Sequence, residues 1–366
     1  MNQTITINRM PMRVWRRPRV NDIELTLNVP QQKAAEGSLS IENADGLDIT
    51  DRLPMADFRA RGADYFVPQA LSEFVMRSAS HRRLIRIPKG YQGESPAFIT
   101  LRLEKASPLL SEELYIEAEE GAKAQLIIRY YGEDGLPCEH TGITRLNLAR
   151  GSELQLVRVQ ALSREAKNTD AVEAVLDEGA SLSLTLAELG SAQTNASCNV
   201  LLAGEKARLK LDVLYIGDGD RKLDMTYRAE HRAKKTEADI RSRGILHGTS
   251  HKVLRDTLDF IPGAAGSRGR EEESVLLLGS KARNISVPLL LCGEHDVEGE
   301  HAATSGRLDE EMMFYIMSRG ISREEARKLM AKASFSEIVE EIPDQQLREE
   351  IMAAVDASID RGGEQA

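Results

Sequence analysis

EEGAKAQLIIRYY at 119–131, ARGSELQLVRVQ at 149–160, DEGASLSLTLAEL at 177–189 and AGEKARLKLDVLY at 203–215 are four versions of one phrase. Each sets a glycine ahead of a run that alternates apolar and polar residues. Alternation with a period of two is the pattern of a strand with one buried face. Gly121, Gly151, Gly179 and Gly204 are 30, 28 and 25 residues apart, and Leu126, Leu156, Leu184 and Leu209 follow them at a constant offset. A turn glycine and a strand repeating at this spacing describe a solenoid, whose units bury their inward side chains only against neighbouring units. The four leucines are therefore expected to point inward. Such a body needs few large side chains, and aromatics are 4% of the chain with one Trp.

Working outward, 22–29 (DIELTLNV) and 84–90 (LIRIPKG) read as strands, and 68–79 (PQALSEFVMRSA) as a short helix with Leu71, Phe74 and Val75 on one face. The very polar stretch 217–252 keeps alternation in Leu223–Tyr227, so further strands with a wet outer face are expected there. The apolar runs 274–279 and 287–292 suggest strands buried on both faces. The last sixty or so residues change to helical signals. Asp309 opens one helix that carries Met312, Phe314, Tyr315 and Ile316 and ends at Gly320. Ser322 to Glu325 is a capping box for a second, with Ala326, Leu329, Met330 and Ala333 at helical spacing. A third follows Pro343, with Leu347, Ile351, Val355 and Ile359 on one stripe. Helices with one apolar stripe each are expected to pack on the strand body and leave a surface for a partner. The divisions read from the sequence are a mixed α/β region over 1–96, a β core over 97–305 and a helical domain over 306–366.

The 366 residues carry a net charge of −10, which disfavours nucleic acid as a partner. Three cysteines preclude a disulfide scaffold and fit a reducing compartment, so a cytoplasmic location is expected. Cys138 and Cys198 are expected to be buried and inert. No apolar run is long enough for a signal peptide or a membrane span. The arginines at 9, 13, 16, 17 and 19 around Trp15 read as a solvated loop or a subunit contact. There is no phosphate loop, dinucleotide fingerprint, Cys-x-x-Cys, His-Glu-x-x-His or nucleophile elbow. One stretch concentrates metal-binding side chains, Cys292-Gly-Glu-His-Asp-Val-Glu-Gly-Glu-His301. Thiolate, imidazole and carboxylate suit iron, zinc or copper. In a strand, Glu298 and Glu300 would face one way and His301 the other. A polar turn between two strands accounts for the same spacing.

Residues 288–329 resemble the C-terminal signature of the SufB/SufD family, scaffold subunits of the Suf iron–sulfur cluster assembly machinery. The matching features are a Pro-led strand, Asp296-Val297, His301 with Ala302-Ala-Thr304, and a helix with Phe314-Tyr315 and Ser318-Arg-Gly320. Weaker likeness lies at Leu84–Gly90, at His231 through Gly244-Ile-Leu, and at Trp15 with Val20-Asn21. The resemblance implies a right-handed parallel β-helix core with a C-terminal helical domain, paired with a second such subunit through the β-helices. It also implies docking of the SufC ATPase on the C-terminal helices, with Tyr315 and Arg319 as expected contacts. An indirect link to a cysteine desulfurase system follows. On this reading the chain is a non-enzymatic scaffold, bound to no nucleic acid or membrane, whose partner is a SufB-type subunit or an identical copy. Its assembly-site residues would be His301 first, then Glu300, then Cys292, holding iron or a cluster transiently, with His301 and Glu300 as the metal contacts. Where SufD-type chains carry Cys-Ser-His, this chain has Gly299-Glu300-His301, and Glu300-His301 matches the SufB type. The stretch 272–276 lacks the SufB thiol, so the chain looks more SufD-like, and the isolated chain is expected to hold no stable cluster. A β-helix enzyme acting on polysaccharide is the alternative; scarce aromatics argue against it.

Overall fold

The computed structural model describes residues 2–11, 20–29, 38–51 and 67–363. The cluster around Trp15, Arg9 apart, lies outside them. The elements in chain order are β1 (Asn2–Ile7), β2 (Ile23–Asn28), β3 (Leu39–Glu42), β4 (Asp48–Thr50), α1 (Gln69–Ser78), β5 (His81–Ile87), β6 (Ala97–Leu103) and β7 (Leu109–Ala118). Next come β8 (Lys123–Gly132), β9 (Glu139–Leu148), β10 (Glu153–Ala161), β11 (Lys167–Leu176), β12 (Ser181–Glu188), β13 (Gln193–Leu202), β14 (Arg208–Gly217), β15 (Lys222–His231) and β16 (Glu237–Leu246). The last strands are β17 (His251–Phe260), β18 (Ser267–Leu277), β19 (Arg283–Ser286), β20 (Leu289–Cys292) and β21 (Val297–Arg307). Three helices follow, α2 (Glu310–Ser318), α3 (Arg323–Val339) and α4 (Gln345–Gly363).

From β5 to β19, strands of even and odd number fall into two facing sheets, so each turn contributes one strand to each. One sheet runs β21-β18-β16-β14-β12-β10-β8-β6-β3 and the other β19-β17-β15-β13-β11-β9-β7-β5-β4. The result is a β-solenoid of about eight turns. Pairing is parallel from β5–β7 and β6–β8 onward, while β3 and β4 close the first turn antiparallel. Leu126 stands over Leu156 and Leu156 over Leu184, in register. Leu126, Leu156, Leu184 and Leu209 are all buried in the lumen core, as the repeat required.

The turn that starts each unit needs one left-handed residue, two positions before the strand. Gly121, Gly151 and Gly179 supply it with φ of 67°, 62° and 64°, and glycine adopts that conformation without a Cβ penalty. In the fourth unit the left-handed residue is Lys206, φ 62°, not Gly204. The true repeat there is two residues longer than the glycine spacing suggests. Leu211, not Leu209, consequently stands over Leu184. A shift of two keeps the same face, so Leu209 is still inward.

The lumen is not purely apolar. Tyr130 Oη donates to Glu112 Oε1 at 3.1 Å, Glu112 Oε2 pairs with His140 Nε2 at 2.6 Å, and Arg158 pairs with Asp170 at 2.7 Å. Cys138 and Cys198 are buried free thiols, and burial pushes Cys198 up to about 12.

Each sheet also buries its outer face. The β1–β2 hairpin and α1 cover part of the odd-numbered sheet, with Leu71, Phe74 and Val75 against Ile143 and Ala171. Helices α3 and α4 cover the other, packing Phe335, Ile338, Leu347, Ile351, Val355 and Ile359 against Val157, Val159, Leu214, Ile216 and Ile245. The capping box of Ser322 and Glu325 is formed, and Asp344 caps α4 by accepting from the Leu347 N–H at 2.7 Å.

Three expectations need correction. Leu329 and Ala333 face outward on α3, because its buried stripe is Ala326, Ala331, Phe335 and Ile338. The runs 274–279 and 287–292 are not buried on both faces. They belong to the final turns of the solenoid, and Leu276, Leu277, Leu289 and Leu290 are half-buried while Cys292 is exposed. The outer face over 217–252 is not uniformly wet. Arg241 there is 8% exposed, bonded to Asp212 at 2.7 Å and to Glu337 of α3 at 2.6 Å.

Candidate functional site at the open end of the solenoid

Parallel in-register stacking turns the repeat into columns of side chains. One column reads Leu126, Leu156, Leu184, Leu211, Ile240, Glu271, His301. It is apolar for five units and then ends in a carboxylic acid and an imidazole. Glu271 is 3% exposed, and its Oε2 has no hydrogen-bond partner among the described residues. Burial, reinforced by the charge of Glu273, pushes its carboxyl up to about 8. Beside it lie Asp256, Glu273, Lys252 and Tyr215, all buried. Lys252 Nζ donates to Glu273 Oε1 and, at 3.0 Å, to Ser286 Oγ. Tyr215 Oη donates to the same Glu273 oxygen at 2.7 Å. Burial raises Asp256 and lowers Lys252 from their ordinary values. Among these acids burial favours the protonated form of Asp256 and Glu271.

His301 sits over this cluster and is exposed, because β21 is the last strand of its sheet. All of β21 is half or fully exposed, and among the described residues no strand pairs with its outer edge. Glu300 is also exposed but stands in register with Arg270, in the adjacent outward column. Alternation along the strand thus sends Glu300 and His301 to opposite faces. Cys292 closes β20 in register with Phe260, a lumen residue, so it lies on the same side as His301. Among the described residues no three His, Cys, Asp or Glu side chains converge to hold a metal ion. Gly299 has no room for a larger residue without movement, since a Cβ there would lie 2.8 Å from Leu290 Cδ1.

The second predicted feature lies on α2. Asp309 caps it by accepting from Glu311 and Met312 N–H, and only Met313 is buried. Met312, Tyr315 and Phe314 are 48%, 54% and 75% exposed. Arg319 Nη2 donates to Tyr315 Oη at 2.9 Å with its guanidinium 5.0 Å from the ring centre, so the two expected contact residues form one unit. Soluble surfaces rarely expose neighbouring large apolar residues without a use.

A profile of the SUF system FeS cluster assembly SufBD core domain matches residues 101–334. The chain belongs to the SufBD family. Similar relatives include a SufBD family protein of Mycobacterium leprae, 24% identical over 79% of this chain and 33% of that protein. SufD of Bacillus subtilis is 29% identical over 39% of this chain and 33% of its own length. SufB of the same organism is 25% identical over 71% of this chain and 56% of its own. The chain thus spans between a third and under two thirds of these relatives' length. Sequence reasoning missed the buried acids Asp256, Glu271 and Glu273. The register of the repeat carries the signal: continued through Ile240, the leucine column reaches Glu271.

Proposed function

We propose that this chain is a non-catalytic, SufD-like scaffold subunit for iron–sulfur cluster assembly. It works with a SufC-type ATPase and either a SufB-type subunit or a second copy of itself. Membership of the SufBD family is the observation that carries this reading. The uncovered edge of β21, with His301 on one face and Glu300 on the other, supports pairing through the solenoid ends. The imidazole would meet the iron of a cluster in transit, and the soft sulfur ligands would come from the partner or from bound sulfide. Glu271, buried behind it, would take up or release a proton as charge arrives. The absence of a thiol at 272–276 favours the SufD-like type over the SufB-like one.

The exposed apolar face of α2 supports ATPase docking there. The experiment is co-expression with a SufC-type ATPase and recovery on the tagged chain. Phe314→Glu combined with Tyr315→Glu is expected to abolish recovery while leaving the unfolding temperature unchanged, because neither side chain is buried. Undiminished recovery would refute docking on this helix. Removing the whole helical segment is a poorer test, since it would uncover the apolar sheet face beneath α3 and α4.

A further inference from the structure

Where the last turn of α4 meets the solenoid, three arginines converge on one acid. Asp218, at the end of β14, is fully buried. Its Oδ2 accepts from Arg164 Nη1 at 2.5 Å and from Arg361 Nε and Nη2 at 2.9 and 2.7 Å. Arg221 Nη1 lies 3.8 Å from Oδ1. Arg221 is committed elsewhere, donating to the carbonyls of Ser191 at 2.6 Å, Leu189 at 2.8 Å and Gly190. Burial, with Arg164 and Arg361 adding to it against the pull of Asp218, brings Arg221 down to about 10. Three guanidinium groups therefore face Asp218, with Glu188 also acting on Arg221, which leaves a surplus of positive charge. The field reaches further. His247, buried and bonded to Ser358 Oγ at 2.8 Å, is held below its ordinary value by burial and by Arg361, Arg327 and Arg164, against the pull of Asp218.

The surplus is placed where a ligand can reach it. Arg164 and Arg361 side chains are 40% and 44% exposed, whereas Asp218 and Arg221 are 0% and 3%. Arg164 Nε and Nη2 and Arg361 Nη1 have no acceptor among the described residues. Arg361 reaches Asp218 Oδ2 through two nitrogens, which sets its plane, whereas Arg164 is anchored there by one. The free Nε and Nη2 of Arg164 and Nη1 of Arg361 are donors of the kind that bind a tetrahedral oxyanion.

We propose that Arg164 and Arg361 bind a phosphate-type oxyanion at the seam between the solenoid and α4. Asp218 orients them and partly neutralises them. A bound anion would fasten the last helix to the turn after β10. If the cluster is only a clamp between helix and strand, the clamp is already complete and anions add nothing.

The test is thermal unfolding of the full chain titrated with inorganic phosphate, and separately with AMP, against chloride at equal ionic strength. The expected result is a saturable rise in unfolding temperature with one or both phosphates and none with chloride. Phosphate alone identifies a free anion, whereas AMP acting at about tenfold lower concentration identifies a phosphate monoester. Arg164→Gln, on an exposed side chain, should abolish the rise, and Arg164→Lys should weaken it by about tenfold, because an ammonium keeps the charge but not the fork. A rise that chloride reproduces, or that Arg164→Gln leaves intact, would overturn the proposal, as would no rise with either phosphate.

Discussion

A single column of the solenoid passes from leucine to glutamic acid to histidine, and the consequence is electrostatic. Glu271 is held as the neutral acid up to about pH 8, against 4.5 when unperturbed, chiefly by burial. Between those values the folded chain binds this proton and the unfolded chain does not. Its contribution to stability is therefore present below about pH 4.5 and is lost as pH rises through 8. Glu271→Gln should flatten that part of the stability profile and stabilise the protein at pH 8 by on the order of a few kcal/mol. Urea unfolding at several pH values checks it, and parallel profiles for the two proteins would contradict it. The turn residues allow a second prediction. Gly151 has φ 62°, and nothing lies within 4 Å of the place a Cβ would take, so Gly151→Ala meets only the conformational penalty, about 1 kcal/mol. Lys206 occupies the equivalent place at φ 62°, and Lys206→Gly should stabilise by roughly 0.5–1 kcal/mol, measured as a higher urea midpoint.

At the scale of elements, the strands were legible because alternation and turn glycines are local signals. The helix caps at Asp309 and Ser322 were legible for the same reason. The outward placement of Leu329 was not, because one helix offers several apolar stripes and only the sheet beneath selects among them. The buried acids escaped notice because a polar residue in a strand reads as outward. Glu271 and Glu273 become inward only once β18 is stacked on β16 in register. His301, Glu300 and Cys292 were picked out by chemistry rather than geometry, and alternation along β21 sends Glu300 and His301 to opposite faces. Phe335 shows how firmly the helical segment is attached. It is fully buried in the cluster between α3, α4 and the sheet, and Phe335→Ala should cost about 3–5 kcal/mol. Loss of protection in α3 and α4 ahead of the lumen strands, read by hydrogen exchange, would show that the helices detach as a unit.

For the whole molecule, each sheet carries a cover on part of its outer face, whereas the last strand, β21, is half or fully exposed along its length. A surface-exposed edge strand of this length is an assembly surface or a liability. The chain belongs to the SufBD family, and among the described residues no three metal-binding side chains converge. Under the scaffold role proposed above, His301 would serve a cluster only within a complex. The direct measurement is iron and acid-labile sulfide content, with absorbance, on anaerobic preparations of the isolated chain and of its complex with a SufC-type ATPase and a cysteine-bearing SufB-type subunit. The account predicts no stable cluster on the isolated chain, a cluster in the complex, and reduced loading with unchanged subunit composition for His301→Ala. A stoichiometric, thiol-ligated cluster on the isolated chain, or equal loading in the His301→Ala complex, would contradict it.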